Sequence, residues 1–459
     1  MTDLFADSAL LPDGWAKDVR LTIGVSGDIQ SVKVGADSSG AQRIRGAVLP
    51  GMPNLHSHAF QRAMAGQAEV RGPNADDDFW SWRKVMYDVA CGGLDPAGIE
   101  AIAAQLYLEM VKSGYTHIAE FHYIHHDQDG NRYADPFELS RRVIAAARAV
   151  GIGYTHLPVL YSAGGFGPKP LEPHQKRFAN DADYVLDCTR TLGKEHAGDG
   201  NLAFGIAPHS LRAASPDQLR IAVDGLTALD PKAPIHIHIA EQTSEVDGCL
   251  AWSNQRPVQW LYNNYAVDQR WCLIHATHVT PEEVSSMAKS GAVVGLCPTT
   301  EANLGDGIFP MVDYFAAGGR WGVGSDSHVS ISPVEELRWL EYGQRLILRK
   351  RNLLATAEAA HVGANLWKGA LAGGAQSSGR PIGKLATGHR ADLITLDTDH
   401  PSLTGRSGDT LLDAFLFCGN TTPVRDVMVG GRWVVRDGHH EAEEAITRRY
   451  RDTLRQLAA

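Results

Sequence analysis

The stretch VLPGMPNLHSH, residues 48–58, sets the reading of the whole chain. An apolar run ends in His56 and His58, and residues two apart in a strand share one face, the placement that a pair of metal-ligating imidazoles needs. Alone, the HxH pattern is a weak signal, because hydrogen-bonded core histidines satisfy it equally well. Three later apolar runs also end in polar residues: IHIHIAE (235–241), WCLIHAT (271–277) and RWGVGSD (320–326).

Working outward, four more runs of strand character, THIAEFH (116–122), YTHLPVLY (154–161), LAFGIAPH (202–209) and AVVGLCP (292–298), bring the number to eight. Helical patterns such as PAGIEAIAAQLYLEMVKSG (96–114) and PFELSRRVIAAARAVG (136–151) separate most of them. This alternation predicts an α/β fold, a parallel (β/α)8 barrel over residues 51–374 whose polar residues gather at the carboxyl ends of the strands. The β signals of LTIGVSGDIQSVKVG near the N-terminus and of ADLITLD (391–397) and VRDVMVGGRWVVRDG (424–438) predict a small β domain built from both chain ends, 1–50 plus 375–459. GALAGGAQSSGRP (369–381) reads as the boundary returning to it, and the polar and aromatic insertion of residues 59–95 as a long loop with the character of a lid.

The chain has 459 residues, with 43 Lys and Arg against 53 Asp and Glu, a formal charge of −10. A nucleic-acid partner is excluded on charge, and a membrane partner by the lack of a long uncharged apolar run. The N-terminus has neither a basic region nor an apolar one, and the six cysteines form no CxxC pair, so the expectation is a cytoplasmic protein with free thiols. A metal would then be held by His, Asp or Glu.

In HIHIAE, His236 and His238 share a face, with His236 about 6.6 Å deeper, which favours His238 as a ligand at the mouth; Glu241 lies just beyond the strand. His275 and Asp326 end the sixth and eighth strands. His275 alone reads equally as a core histidine and Asp326 as a helix-start residue, yet a buried aspartate needs a metal or a histidine beside it. His122, His125 and His126 read as loop histidines, since no second set of carboxylates accompanies them.

The order HxH, HxxE, H, D on strands one, five, six and eight, together with PGMPNLHSH and the tail segments LATAEAAHVGANLW (354–367) and PIGKLATGHRADLITLD (381–397), resembles the amidohydrolase superfamily over nearly the whole chain. The resemblance implies a divalent metal held by His56, His58, His238 and Asp326, with Glu241, His275 and Asp326 as catalytic residues. The fourth strand ends in APHSLR, without the lysine of binuclear members, which favours one metal. Zinc suits this ligand set, and iron(II) also fits it.

Within the superfamily, HSHAFQRAMAG (56–66), DFWSWRKVMY (78–87), EFHYIHH (120–126) and APHSLRA (207–213) resemble the formimidoylglutamate deiminases. That resemblance implies metal-dependent hydrolysis of N-formimino-L-glutamate to N-formyl-L-glutamate and ammonia in histidine degradation. It also implies a pocket lined by Gln61, Arg83, Tyr123, His209 and Arg212, and a homodimer. Arginine forks suit a small-molecule substrate with two carboxylates. The alternatives are an aminohydrolase of a ring such as guanine, cytosine or a triazine, which would call for stacking aromatics and amide donors, and a non-catalytic scaffold, which would lack metal ligands.

Overall fold

The computed structural model describes residues 1–71 and 79–457. Asp78 of the DFWSWRKVMY motif and the 72–78 part of the 59–95 insertion lie outside the described residues.

Eight parallel strand positions form the barrel: β1 (Met52–Ser57), β2 (Tyr115–His122), β3 (Gly153–Leu160), β4 (Leu202–Phe204, continued by Ala207–Pro208), β5 (Ile235–Ile239), β6 (Trp271–His275), β7 (Val293–Leu296) and β8 (Arg320–Val323). Hydrogen bonding runs through β1 to β4 in one arc and β5 to β8 in another. Parallel bridges Ile206–Ile235 and Ser210–His238 join β4 to β5, and Ser57–Asp326 joins the end of β8 to β1, which closes the ring. Inside it, Leu55, Cys272, Ile274, Val293 and Cys297 form a separate apolar cluster beneath the polar mouth. Gly324 allows β8 to come this close to β1, since a Cβ there would lie 2.8 Å from the backbone N and O of His56.

The two chain ends meet in one seven-stranded sheet. Its order is Arg432–Val435, Val424–Val429, Leu393–Leu396, Gln42–Pro50, Thr2–Leu11, Gly14–Ile23, Ile29–Lys33. Only the pairing of Thr2–Leu11 with Gln42–Pro50 is parallel. Helix Glu443–Leu457 leaves this sheet and packs on helix Pro96–Ser113 of the barrel.

Three local readings are corrected. Residues 2–11, read as no element, form a strand of the sheet, with Leu4, Phe5 and Ala6 buried in succession, so the alternation that marks a one-sided strand is missing. The Gly/Ala/Ser stretch at 369–378, read as the boundary to the β domain, is the second half of helix Val362–Ser378, which lies on β1 and β8. Its small residues are required by contact: a Cβ on Gly373 would sit 1.9 Å from the Trp321 carbonyl oxygen. The 59–95 insertion is partly helical, with a 3-10 turn at Ala59–Met64 and an α-helix at Phe79–Cys91 that buries Phe79, Met86, Tyr87 and Ala90 along one face.

Candidate active site

At the carboxyl mouth of the barrel, β1 brings His56 and His58, β5 His238, β6 His275 and the turn after β8 Asp326. The two-residue period does what the sequence implies: His56 and His58 turn inward, while Ser57 between them turns away and donates to Glu120 Oε2 at 2.7 Å. His56 Nε2 and His58 Nε2 lie 3.4 and 3.3 Å from Asp326 Oδ1, and His238 Nε2 lies 3.0 Å from His56 Nε2. Potential ligand atoms of His56, His58 and Asp326 all fall within 4.8 Å of one another, as do those of His56, His238 and His275.

The rings are aimed from behind. His58 Nδ1 is 3.0 Å from the Phe121 carbonyl oxygen and His238 Nδ1 is 2.9 Å from that of His209. Each Nδ1–H donates there, which leaves the Nε2 lone pair directed at the cluster. Burial lowers all three ligand imidazoles, His56 to about 3, so they are neutral. Although burial opposes it, His56, His58 and His275 hold the Asp326 carboxyl below the ordinary range, so it is ionised. Neutral nitrogens with converging lone pairs repel unless a cation lies among them, and three imidazoles with one carboxylate are a donor set that zinc or iron(II) accepts. The residues present therefore fit a divalent metal.

Glu241 and His275 sit beside this cluster, with His275 Nε2 3.7 Å from Glu241 Oε1 and 3.8 Å from Asp326 Oδ2. Burial raises the Glu241 carboxyl to about 7, with His275 opposing. Burial alone would lower His275, but Glu241, Glu301 and Asp326 outweigh it and bring the imidazole to about 10. The backbone is strained here: Ala240, His275, Ala276, Asp326 and His328 have φ of 52°, 68°, 48°, 44° and 63°. Left-handed conformations in non-glycine residues cost on the order of 1 kcal/mol or more each, and they cluster at functional sites.

A narrow cavity opens onto the cluster, lined by His58, His238, Glu241, His275 and Asp326 and by all five residues expected to bind substrate, Gln61, Arg83, Tyr123, His209 and Arg212. His56 lies fully buried behind it. Gln61 Nε2 donates to the Tyr123 hydroxyl at 2.9 Å, while its Oε1 is buried without a partner. Arg83 Nη2 donates to the Tyr161 hydroxyl at 3.1 Å, and its guanidinium carbon lies 5.2 and 5.1 Å from the centroids of Trp80 and Tyr87. Arg212 Nε is buried without a hydrogen-bond partner. Neither arginine has an acidic partner within 4 Å among the described residues. Phe79 and Trp82, from the same helix as Arg83, complete the wall.

Sequence reasoning missed the supports. Glu301, five residues beyond β7 in CPTTE, is 3.2 Å from His275 Nδ1 and accepts from Cys297 N at 2.8 Å. His328 bridges Ser57 Oγ at 3.2 Å and Ser325 Oγ at 3.0 Å, behind the loops that carry His58 and Asp326. Their only sequence signal was proximity to strand ends. His236 is turned toward the Ser377 carbonyl, at 2.9 Å, and takes no part in the site. His122 closes β2 within the strand, whereas His125 and His126 lie in the loop beyond it, as expected, buried against the Val159 and Ala179 carbonyls. They form no metal cluster among the described residues.

Comparison with known proteins agrees with this geometry. The amidohydrolase family profile matches residues 47–434, and that described as Formimidoylglutamate deiminase HutF, N-terminal domain, matches residues 1–46. The chain is 56% identical over 457 residues to a formimidoylglutamate deiminase of Pseudomonas aeruginosa, covering 100% of both. It is 29% identical over 423 residues to an 8-oxoguanine deaminase of the same organism, covering 90% of this chain and 88% of that protein. The crystal structure of an amidohydrolase from Brucella melitensis superimposes with a TM-score of 0.94 at 46% identity, covering 100% of each chain. The chain belongs to the amidohydrolase family, in its formimidoylglutamate deiminase group.

Proposed function

We propose that this enzyme hydrolyses N-formimino-L-glutamate to N-formyl-L-glutamate and ammonia, the deimination step of histidine degradation. The observation that carries the reading is the polarity of the cavity. Its lining combines two guanidinium groups that lack an ion-pair partner among the described residues, Arg83 and Arg212, with the carboxyls of Glu241 and Asp326. A substrate with two carboxylates at one end and a formamidinium cation at the other matches that polarity, and arginine forks bind carboxylates through paired hydrogen bonds. A flat ring would leave both guanidinium groups facing no anion.

His56, His58, His238 and Asp326 would hold one divalent ion, zinc by preference and iron(II) as the alternative. When bound, it acidifies water toward neutral pH and so supplies the hydrolytic nucleophile. Asp326, ionised, accepts the water proton as the oxygen adds to the formimino carbon. His275 donates from Nε2 toward the developing charge, with Glu301 fixing its ring through Nδ1. Glu241, close to half protonated near neutrality, delivers a proton to the terminal nitrogen. The bond to that nitrogen breaks, ammonia leaves, and the carbon keeps the new oxygen as a formyl group. Gln61, Tyr123 and His209 shape the wall between the two ends.

Product analysis tests this reading. Proton NMR of the reaction should show one formyl proton on glutamate per ammonia released. Formamide with free glutamate would mean cleavage of the other carbon–nitrogen bond and would overturn it. We propose a homodimer on family resemblance alone. We also propose a cytoplasmic location, supported by the free state of all six cysteines. No helix among the described residues is long and apolar enough to cross a membrane.

A further inference from the structure

We propose that a second cavity, at the opposite end of the barrel from the catalytic cluster, binds an organic anion with an apolar body. The cavity has a volume of about 460 Å3 and lies where the small sheet, helix Val362–Ser378 and the amino ends of the barrel strands meet. Pro50 before β1 and Arg320 at the start of β8 both line it, each six residues upstream of a catalytic-end residue, His56 and Asp326. It shares no lining residue with the catalytic cavity.

Its chemistry is one-sided. Arg320, Lys368, Arg380, Lys384 and His389 line it, and no Asp or Glu does, in a chain of formal charge −10. Two of the four Arg and Lys side chains are engaged elsewhere. Arg380 donates from Nε and Nη2 to the Gly200 carbonyl at 3.1 and 2.8 Å and has Asp392 Oδ2 3.9 Å from its Nη1, and Lys368 Nζ is 3.6 Å from Asp409 Oδ1. Arg320 and Lys384 form no ion pair among the described residues. His389 Nδ1 is buried without a hydrogen-bond partner. Arg320 and Lys384, without such counter-charges, repel one another and the rest of the set, and an anion among them relieves that repulsion. The helix carboxyl end does not account for the set. Arg380 follows that end directly, whereas Arg320 comes from β8 and Lys384 from the loop beyond.

Apart from Gln376, whose amide is spent on the Gln269 and Gly291 carbonyls, the rest of the lining is apolar, including Leu10, Leu371 and Ile382. A pocket of this size with an apolar floor and a few convergent polar groups has the build of a small-molecule site. Its ligand carries a carboxylate, sulfonate or phosphate for the cations and a hydrocarbon body for the floor.

The probe is naphthalene-2-sulfonate, titrated calorimetrically into metal-loaded enzyme whose catalytic cavity is saturated with N-formyl-L-glutamate. The expected result is one saturable site per chain. Uncharged 2-naphthol should bind at least tenfold more weakly, and the exposed double reversal Arg320→Glu with Lys384→Glu should weaken the sulfonate at least tenfold while kcat stays unchanged. A control reversal of exposed Lys350 and Arg351, outside the cavity, should leave binding intact, and Ala372→Trp, which fills the cavity, should abolish it. Absence of saturable binding, equal affinity for 2-naphthol, or equal loss in the control would overturn the proposal. So would sulfonate binding that survives both the double reversal and the filled cavity.

Discussion

Truncating Arg212 to Ala tests how the cavity selects its substrate. The guanidinium lines the catalytic cavity, has no acidic partner among the described residues, and keeps Nε buried and unpaired, so its hydrogen-bonding capacity is free for a ligand. A hydrogen bond to a charged group contributes about 1.5–3 kcal/mol, and removing one partner of a desolvated charge pair costs about 2–5 kcal/mol. Taking about 3 kcal/mol, with roughly 1.36 kcal/mol for each factor of ten, kcat/KM for N-formimino-L-glutamate should fall roughly 150-fold. Arg83→Ala should cost a similar factor, reduced to the extent that the Tyr161 hydroxyl already occupies one of its donors. Steady-state ammonia release gives both values. The control is an uncharged alkyl formamidine, whose slow turnover never used these contacts and should change less than threefold. Formimino-glycine, which lacks the side-chain carboxylate, should be sensitive to only one of the two truncations. If the uncharged substrate falls as far as formimino-glutamate, or if formimino-glutamate is unaffected by both truncations, the arginines are not carboxylate receptors and the substrate assignment loses its physical basis.

Glu241→Gln should lower kcat roughly 100-fold or more with metal content, measured by elemental analysis, retained. Because burial holds Glu241 protonated up to about 7 and the protonated form is the proton donor, wild-type kcat should decline as pH rises through that value, and the variant should lose this limb. Tyr161→Phe removes the hydroxyl that accepts from both Arg83 and Gln175 at 3.1 Å while keeping the ring that meets His209 edge-on at 4.9 Å. KM for formimino-glutamate should rise several-fold with kcat nearly unchanged, and an equal fall in kcat would place Tyr161 in the chemistry instead. Buried His156, lowered by burial to about 3 against 6.5 for the unfolded chain, leaves the folded state binding fewer protons, so stability is lost as pH falls from 6.5 toward 3. His156→Phe should reduce that slope by about 1.4 kcal/mol per pH unit, read from denaturant unfolding across the window.

The barrel was legible because its strands end abruptly: the runs of β1, β5, β6 and β8 stop at polar residues gathered at the mouth of the barrel, so VLPGMPNLHSH and GVGSDSH mark both strand and candidate site. The strand Thr2–Leu11 was not legible because it is the fifth of seven in its sheet, with a partner on each side and three successive buried residues, so it lacks the polar alternation of an exposed face. The second half of helix Val362–Ser378 was read as a domain boundary because Gly and Ala there answer to the Trp321 backbone pressed against them, a tertiary demand that composition alone does not show. The expected metal ligands are short motifs at strand ends, and the structure gathers His56, His58, His238 and Asp326 at one mouth, with Gln61 and Arg83 brought to the same cavity from the insertion after β1. Their supports, Glu301 under His275 and Tyr161 under Arg83, depend on contacts between residues 26 and 78 positions apart, and a single sequence carries no pattern for those.

The central claim, that this metal centre serves a dicarboxylate amidine, is tested most directly by kcat/KM for ammonia release from N-formimino-L-glutamate, guanine, 8-oxoguanine and cytosine with one preparation of metal-loaded enzyme. The account predicts that N-formimino-L-glutamate is preferred by roughly 10³-fold or more, since two charge-paired carboxylates distinguish it. Faster turnover of any of the rings would contradict it.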